Sequence, residues 1–412
     1  MRGDFRFVVF LGLWVVVGTR ASHAQVKQLF AFPCAYQANG TATCPLGSAP
    51  EAILQAVDGT VYGATNASGA ATGGTIFPVN GGSIFSLAAG KLTLLHDFTA
   101  SQGVYTAGSQ PGAALLLGQD GSLYGTTFAG GTYNGGVLFR ISTTGADFVI
   151  LHNFCAAAQC ADGQQPNGLI QGKNGDLYGT TYAGGIASSS CLGTGCGTVF
   201  RFTLPTKSFT LVHAFDPAQD GALPHGLIQA SDGNFYGADC GASTGAGCSV
   251  GSAPGYLFRV TPGGQYTVLT TFPDLPLTGL AESTGGILFG IVLGSCGSDL
   301  FQVNLDGSGF QESGVCFTTW GAGTPIFASD GNLWLTSSGT GKFFNGAIYT
   351  LSPQGALLET YDSGGRSPVA PLIQLKNGEI AGSARSGGTP SKGTGGGEVY
   401  AIDAGLPAPG TR

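Results

Sequence analysis

Apolar residues in this chain come in short runs separated by glycine-centred turns, and helical spacing is absent. Gly226–Ala230, Asn234–Gly237, Tyr256–Val260 and Tyr266–Thr270 are representative. They are short, rich in β-branched and aromatic residues, and bounded by turn chemistry, which predicts strands. Between the first two stands Asp232-Gly233, and between the last two Thr261-Pro262-Gly263-Gly264. Asp-Gly between apolar runs predicts a tight hairpin in which both turn residues take positive φ.

The Asp-Gly phrase recurs. It reads Asp58-Gly59-Thr60-Val61-Tyr62-Gly63, Asp120-Gly121-Ser122-Leu123-Tyr124-Gly125, Asn174-Gly175-Asp176-Leu177-Tyr178-Gly179 and Asp232-Gly233-Asn234-Phe235-Tyr236-Gly237. Looser copies follow at Gly285–Gly290, Asp330–Trp334 and Asn377–Ile380, making seven. Two hairpins in each repeat of roughly 45–60 residues give four strands, the blade of a β-propeller. The seventh repeat stops after three strands, near Leu372–Gln374, Glu379–Ser383 and Glu398–Ile402. Val26–Phe32 stands alone before the first repeat and matches the fourth-strand phrases Leu94–Phe98 and Leu211–Phe215. The expectation is an all-β, seven-bladed propeller over residues 25–404, closed by the N-terminal strand completing the last blade, with a tail at 405–412.

The stretch from Gly168 to Gly185, GLIQGKNGDLYGTTYAGG, resembles the GloVer tandem repeat of exported bacterial proteins. The resemblance spans the mature chain and is most specific in repeats two and three. It loosens in repeats five to seven, where Phe289, Trp334 and Ala381 replace the tyrosine. It implies a secreted or surface location and brings no catalytic residues. No C-terminal anchor follows Leu406–Gly410.

Composition agrees and adds a compartment. Charged residues are 9% of the chain, against about 25% in average globular proteins. Glycine numbers 73, and apolar residues make up 42%, enough for a core. A net charge of −7 gives no basic surface for nucleic acid. Arg2 and Arg6 precede the apolar stretch Phe7–Gly18, and Ser22-His23-Ala24 supplies small residues before Gln25. This is the pattern of a signal peptide over residues 1–24, and its apolar run is too short to span a bilayer. The mature protein is expected in the periplasm, at the cell surface or in the medium, as a monomer with no transmembrane segment.

The two hairpin turns of each blade are short and uniform, whereas the connections on the other face are long and variable: Asn66–Gly82, Thr99–Gly112, Tyr182–Gly197, Asp239–Gly255 and Ser383–Gly397. Variable loops on a rigid frame are where binding resides. The ten cysteines lie on or beside these loops, and an even number in an exported chain predicts disulfides. The expected pairs are Cys34–Cys44, Cys155–Cys160, Cys191–Cys196, Cys240–Cys248 and Cys296–Cys316. A metal site from Cys191, Cys196, Cys240 and Cys248 is the alternative, disfavoured by the oxidising compartment.

Candidate chemistry is sparse. His96, His152 and His213 occupy one repeat position in different blades, so the ring should hold them apart. The column Tyr62, Tyr124, Tyr178, Tyr236, Phe289 and Trp334 is expected to pack between blades. Asp232-Gly233-Asn234 and similar phrases lack the further ligands of a calcium loop, and Gly393–Gly397 has no helix behind it to cradle phosphate. Glu51, Asn167 and His225 each follow a proline just before an innermost strand, which places them at the channel mouth as candidate ligand-binding residues. No nucleophile–base–orienter set is visible, and no catalytic residue, metal or cofactor is expected. The function expected is therefore a non-catalytic binding or scaffold module with an extracellular protein or glycan partner on the long-loop face. A hydrolase or lyase working through Glu51, Asn167 and His225 is the alternative, and a purely architectural envelope protein a third.

Overall fold

The computed structural model describes residues 26–410 except 37–41, 72–80, 102–103, 189–190, 192–194, 242–254, 277, 295–296, 315–322, 339–345, 364–366, 369 and 386–395. The expected signal segment lies outside the described residues, as do Cys248, Cys296 and Cys316. Seven antiparallel sheets form a seven-bladed propeller, one sheet per repeat. Blade 3 is typical, with strands Gln164–Gln171, Leu177–Ala183, Thr198–Thr203 and Ser208–Ala214 running outward in chain order. Blade 7 is composite: Ile373–Gln374, Ile380–Ala384 and Glu398–Ile402 are completed by Val26–Ala31 as the outermost strand. Val26 pairs with Ile402 and Ala31 with Glu398, so the N-terminal strand closes the ring as expected.

The core lies between blades. Phe32, Val399, Val61 and Phe85 join blades 7 and 1 in one buried cluster. Tyr62, Ile84, Leu123 and Phe139 join blades 1 and 2. Tyr178 and Val199 of blade 3 meet Phe235 and Phe258 of blade 4. A single propeller blade has two apolar faces and can bury neither alone, so ring closure and core formation are one event.

Two expectations are corrected. In blade 1 the second strand continues to Ala71 and pairs with the chain at Ala42–Cys44, so the start of the Asn66–Gly82 loop is a β-ribbon. The Asp-Gly turns also differ from the expected geometry, because only the glycine has positive φ, for example Gly59 at 90° and Gly233 at 85°. Gly59 N–H donates to Ala56 O at 3.0 Å and Ala56 N–H to Thr60 O at 2.8 Å. Gly233 N–H likewise donates to Ala230 O at 3.0 Å, and Ala230 N–H to Asn234 O at 2.9 Å. This is a type I turn closed by a left-handed glycine, one residue longer than the two-residue hairpin. The aspartate keeps ordinary φ and its carboxylate accepts the N–H two residues on, Thr60 to Asp58 at 2.9 Å and Asn234 to Asp232 at 3.0 Å.

Blade junctions carry a repeated polar clasp. The last residue of the innermost strand accepts a backbone N–H from the preceding blade's turn. Gln55 accepts from Lys376, Gln171 from Gln119, Gln229 from Lys173 and Gln374 from Ser329, each at 2.8 Å. Each glutamine then donates to its own turn glycine carbonyl, as Gln171 does to Gly175 and Gln229 to Gly233, both at 2.8 Å. In blade 5, Glu282 takes this place and accepts from Ser231 N–H at 2.8 Å and its hydroxyl at 2.6 Å. Leu117 and Phe327 stand at the equivalent positions of blades 2 and 6.

On the long-loop side the junctions are closed by proline seated on glycine. Gly136, at φ 92°, lies so close to Pro166 and Thr127 that a Cβ would fall 2.8 Å from Pro166 Cδ and 2.2 Å from Thr127 O. At four of these junctions the residue before the proline is held left-handed: Ala49, Gln110, Gln165 and Leu223 at φ 52°, 58°, 58° and 59°. Each donates its N–H to the preceding blade, as Gln165 does to Gly135 O at 2.7 Å and Leu223 to Cys196 O at 2.8 Å.

Candidate functional site

Glu51 lies within the innermost strand of blade 1, Asn167 within that of blade 3 and His225 just ahead of that of blade 4, and each is engaged close to its own blade junction. Glu51 of blade 1 receives the guanidinium of Arg385 from blade 7 in a two-pronged contact, Nε to Oε1 at 2.7 Å and Nη2 to Oε2 at 3.1 Å. Asn66 Nδ2 adds a bond to Oε1 at 3.2 Å, and Ser383 Oγ donates to the Glu51 backbone carbonyl. Asn167 donates from Nδ2 to Pro224 O of blade 4 at 2.6 Å while its Oδ1 accepts from Thr180 Oγ1 at 2.7 Å. The backbone N–H of His225 donates to Ala238 O at 2.8 Å, and its Nε2 lies 2.9 Å from Cys240 Sγ. The residue is half-buried, and loss of hydration pushes the imidazole down to about 4. His225 is therefore neutral near pH 7.

Between these residues the innermost strands touch. A Cβ on Gly168 would lie 2.7 Å from Gly226 Cα of the next blade, and one on Gly112 would lie 2.8 Å from Glu51 Cγ. Glycine at these places permits the close approach of neighbouring innermost strands.

The three repeat histidines are apart, and each stacks on an aromatic ring of the following blade. His96 lies 4.0 Å from Phe148, His152 3.9 Å from Phe209 and His213 3.6 Å from Tyr266, between ring centroids. His152 and His213 also approach Asp162 and Asp220, at 3.0 and 2.8 Å. The tyrosine column is likewise structural. Tyr178 stacks on Phe235 of the next blade at 4.0 Å. Tyr124 and Tyr236 donate their hydroxyls to the turn carboxylates of Asp120 and Asp232, at 2.9 and 2.8 Å. Burial and the adjacent aspartate push both phenols up to about 12.

Disulfides join Cys34–Cys44, Cys155–Cys160 and Cys191–Cys196. Cys240 is also disulfide-bonded, and its expected partner Cys248 lies outside the described residues, as does the pair Cys296–Cys316. Thiols already joined as disulfides do not supply the thiolates of the alternative metal site. Among the described residues, no group of three or more His, Cys, Asp or Glu is placed to hold a metal ion.

One group has no counterpart in the sequence reading. Asp239, at the end of the second strand of blade 4, is fully buried. Its Oδ1 accepts Gly241 N–H at 2.8 Å, while Oδ2 meets no hydrogen-bond partner among the described residues. Burial, with the charge of Asp220 adding to it, pushes this carboxyl well above the usual range. Blade 3 has Thr181 near this place, whose hydroxyl meets Thr198 at 2.8 Å. An acidic residue where a neighbouring repeat has threonine was the available signal.

Comparison with solved structures shows likeness of fold. The chain is similar to a streptogramin B lyase, with 13% identity, a TM-score of 0.57, and coverage of 87% of this chain and 94% of that one. It is similar also to the extracellular domain of a protein described as a one-component system of B. thetaiotaomicron, with 10% identity, a TM-score of 0.51, and coverage of 90% of this chain and 39% of that one. No curated protein matches the chain. The Gloeobacter/Verrucomicrobia repeat model matches residues 28–185 and 78–303. The turn, clasp and tyrosine of the repeat phrase thus recur through a stretch that a single family describes, and the chain belongs to the Gloeobacter/Verrucomicrobia repeat family.

Proposed function

We propose that this protein is an exported, monomeric, non-catalytic binding module whose partner surface is the long-loop face. The observation that carries this reading is the engagement of Glu51 and Asn167 across blade junctions, with His225 neutral against a disulfide sulphur. A general acid or base needs a group free to meet substrate at a suitable pKa, and these three are held by the scaffold. Ligand binding by them would require each to exchange a bond that ties its part of the ring. Three disulfides on the same face support an oxidising compartment and pin the loops that would meet a partner. The solved propellers of similar fold include a lyase and an extracellular domain, so fold does not choose between catalysis and binding. No specific observation favours the hydrolase or lyase alternative.

The test is turnover. The mature, oxidised protein should show no release of product from ester, lactone, glycoside or lyase substrates, and Glu51→Ala, Asn167→Ala and His225→Ala should each lower the melting temperature. Turnover lost specifically in those variants, with melting unchanged, would sink the reading.

A further inference from the structure

Within blades 1–3, exposed charged residues gather in the hairpin turns. Exposed Asp58, Asp120, Asp147, Lys173 and Lys207 all lie in hairpin turns. At the opposite ends of the strands of blades 1–3, the described residues of 99–112, 129–136 and 182–197 include no Asp, Glu, Lys, Arg or His, and exposed Asp97 borders the first of these segments. The connection 155–165 holds one charged residue, Asp162, whose carboxylate is occupied by His152 at 3.0 Å and by Ala156 and Ala157 N–H at 3.2 and 3.0 Å.

Three apolar side chains stand out from these segments: Val104, Tyr133 and Ile186, exposed by 55%, 53% and 44%. The loops are tied to one another in series. Gly131 N–H donates to Tyr105 O at 2.8 Å, Gln165 N–H to Gly135 O at 2.7 Å, and Gly185 N–H to Cys160 O at 3.0 Å. The turn that presents Tyr133 is fixed further by Asn134 Oδ1, which accepts Gly130 N–H at 3.1 Å, and by Asn153 Oδ1, which accepts Thr132 N–H at 2.9 Å. Tyr133 is thus displayed on backbone whose own hydrogen bonds are already made, so little ordering remains for binding.

We infer that this surface of blades 1–3, centred on Tyr133, binds a neutral oligosaccharide; the inference rests on the binding reading above. Charge selects the class, because a nucleic acid or an acidic glycan finds no cation among the described residues of these loops, and a basic peptide finds only the single carboxylate of Asp97 at their border. A protein interface has a contiguous apolar core, whereas here Val104, Tyr133 and Ile186 each stand on a different loop rich in glycine, hydroxyl and amide residues. An exposed tyrosine ring offers a rigid, amphipathic face for the C–H side of a pyranose, and the surrounding Thr, Ser, Asn and Gln match its hydroxyls in number and neutrality.

Isothermal titration with cellohexaose, xylohexaose and mannohexaose tests this, with oligogalacturonate as the acidic control. At least one neutral hexaose should bind, Tyr133→Ala should weaken it about tenfold or more, and Tyr133→Phe should stay within about threefold. Binding that survives Tyr133→Ala, or binding of oligogalacturonate alone, would overturn this site while leaving a binding protein. No binding of any neutral hexaose would overturn the inference as well. Appearance of new reducing ends would instead remove the non-catalytic reading, whatever the Tyr133 variants do.

Discussion

His225 and Asp239 lie at one end of blade 4, and burial acts on them in opposite senses. The imidazole of His225 is pushed down to about 4, against about 6.5 in an unfolded chain. Between those values the unfolded chain takes up a proton that the folded chain refuses. Its contribution is therefore complete above about pH 6.5 and lost as pH falls toward 4. The carboxyl of Asp239 is pushed up, so the folded chain keeps a proton that the unfolded chain releases. Its contribution is complete below the unfolded value near 3.8 and lost as pH rises through the folded value. Among the described residues, the groups facing Asp239 include Asp220, Tyr256 and Tyr266, with His213 behind them against Asp220 and Tyr266. Melting temperatures between pH 4 and 8 check both. His225→Gln should lose less stability than the parent as pH falls from 6.5 to 4. Asp239→Asn should gain on the parent as pH rises from 4. Curves running parallel to the parent would show that neither group titrates on unfolding as described.

At the scale of the element, strand content and the repeat phrase were legible because they depend on neighbours in sequence. Asp232, Gly233 and Tyr236 sit within one hairpin, and their chemistry is local. What joins one hairpin to the next was not legible. Gln229 appears in the sequence as an unremarked polar residue, because its partner, Lys173 N–H, belongs to the preceding blade. The turn type is not legible for a related reason: Asp-Gly serves two- and three-residue hairpins alike, and register is fixed by where Ala230 and Asn234 pair. Gln229→Leu removes the acceptor for Lys173 and the donor to Gly233, and should lower stability by about 1–2 kcal/mol in chemical denaturation. Gly136→Ala forces a Cβ into Thr127 O and Pro166 at positive φ, and should cost about 2–4 kcal/mol. An unchanged midpoint in either variant would mean that the junction does not depend on that contact.

For the whole molecule, closure was legible because the seventh repeat lacks a fourth strand and the N-terminus supplies a spare one. The candidate site was legible only in part. Position after proline identified Glu51, Asn167 and His225, but it could not show that Arg385, Pro224 and Cys240 would meet them, since those residues lie far along the chain or at another strand end. A chain lacking residues 25–32 leaves the Glu398–Ile402 edge open and removes Phe32, now 2% exposed, from the blade 7–1 core. It should melt far lower, and a synthetic peptide of residues 25–32 should restore cooperative melting. No rescue by the peptide would count against closure by this strand.

The most direct test of the account is a thermal-shift comparison of the oxidised mature protein with the Glu51→Ala/His225→Ala double variant. Both are screened against divalent metals, common cofactors and neutral oligosaccharides. A ligand at 100 times its Kd adds about 2.7 kcal/mol, an amount this measurement detects. The account predicts a lower starting melting temperature for the double variant and the same saccharide-induced shift in both proteins. A shift from a metal or small cofactor that appears in the parent and vanishes in the double variant would contradict it, placing a working ligand site at the channel mouth.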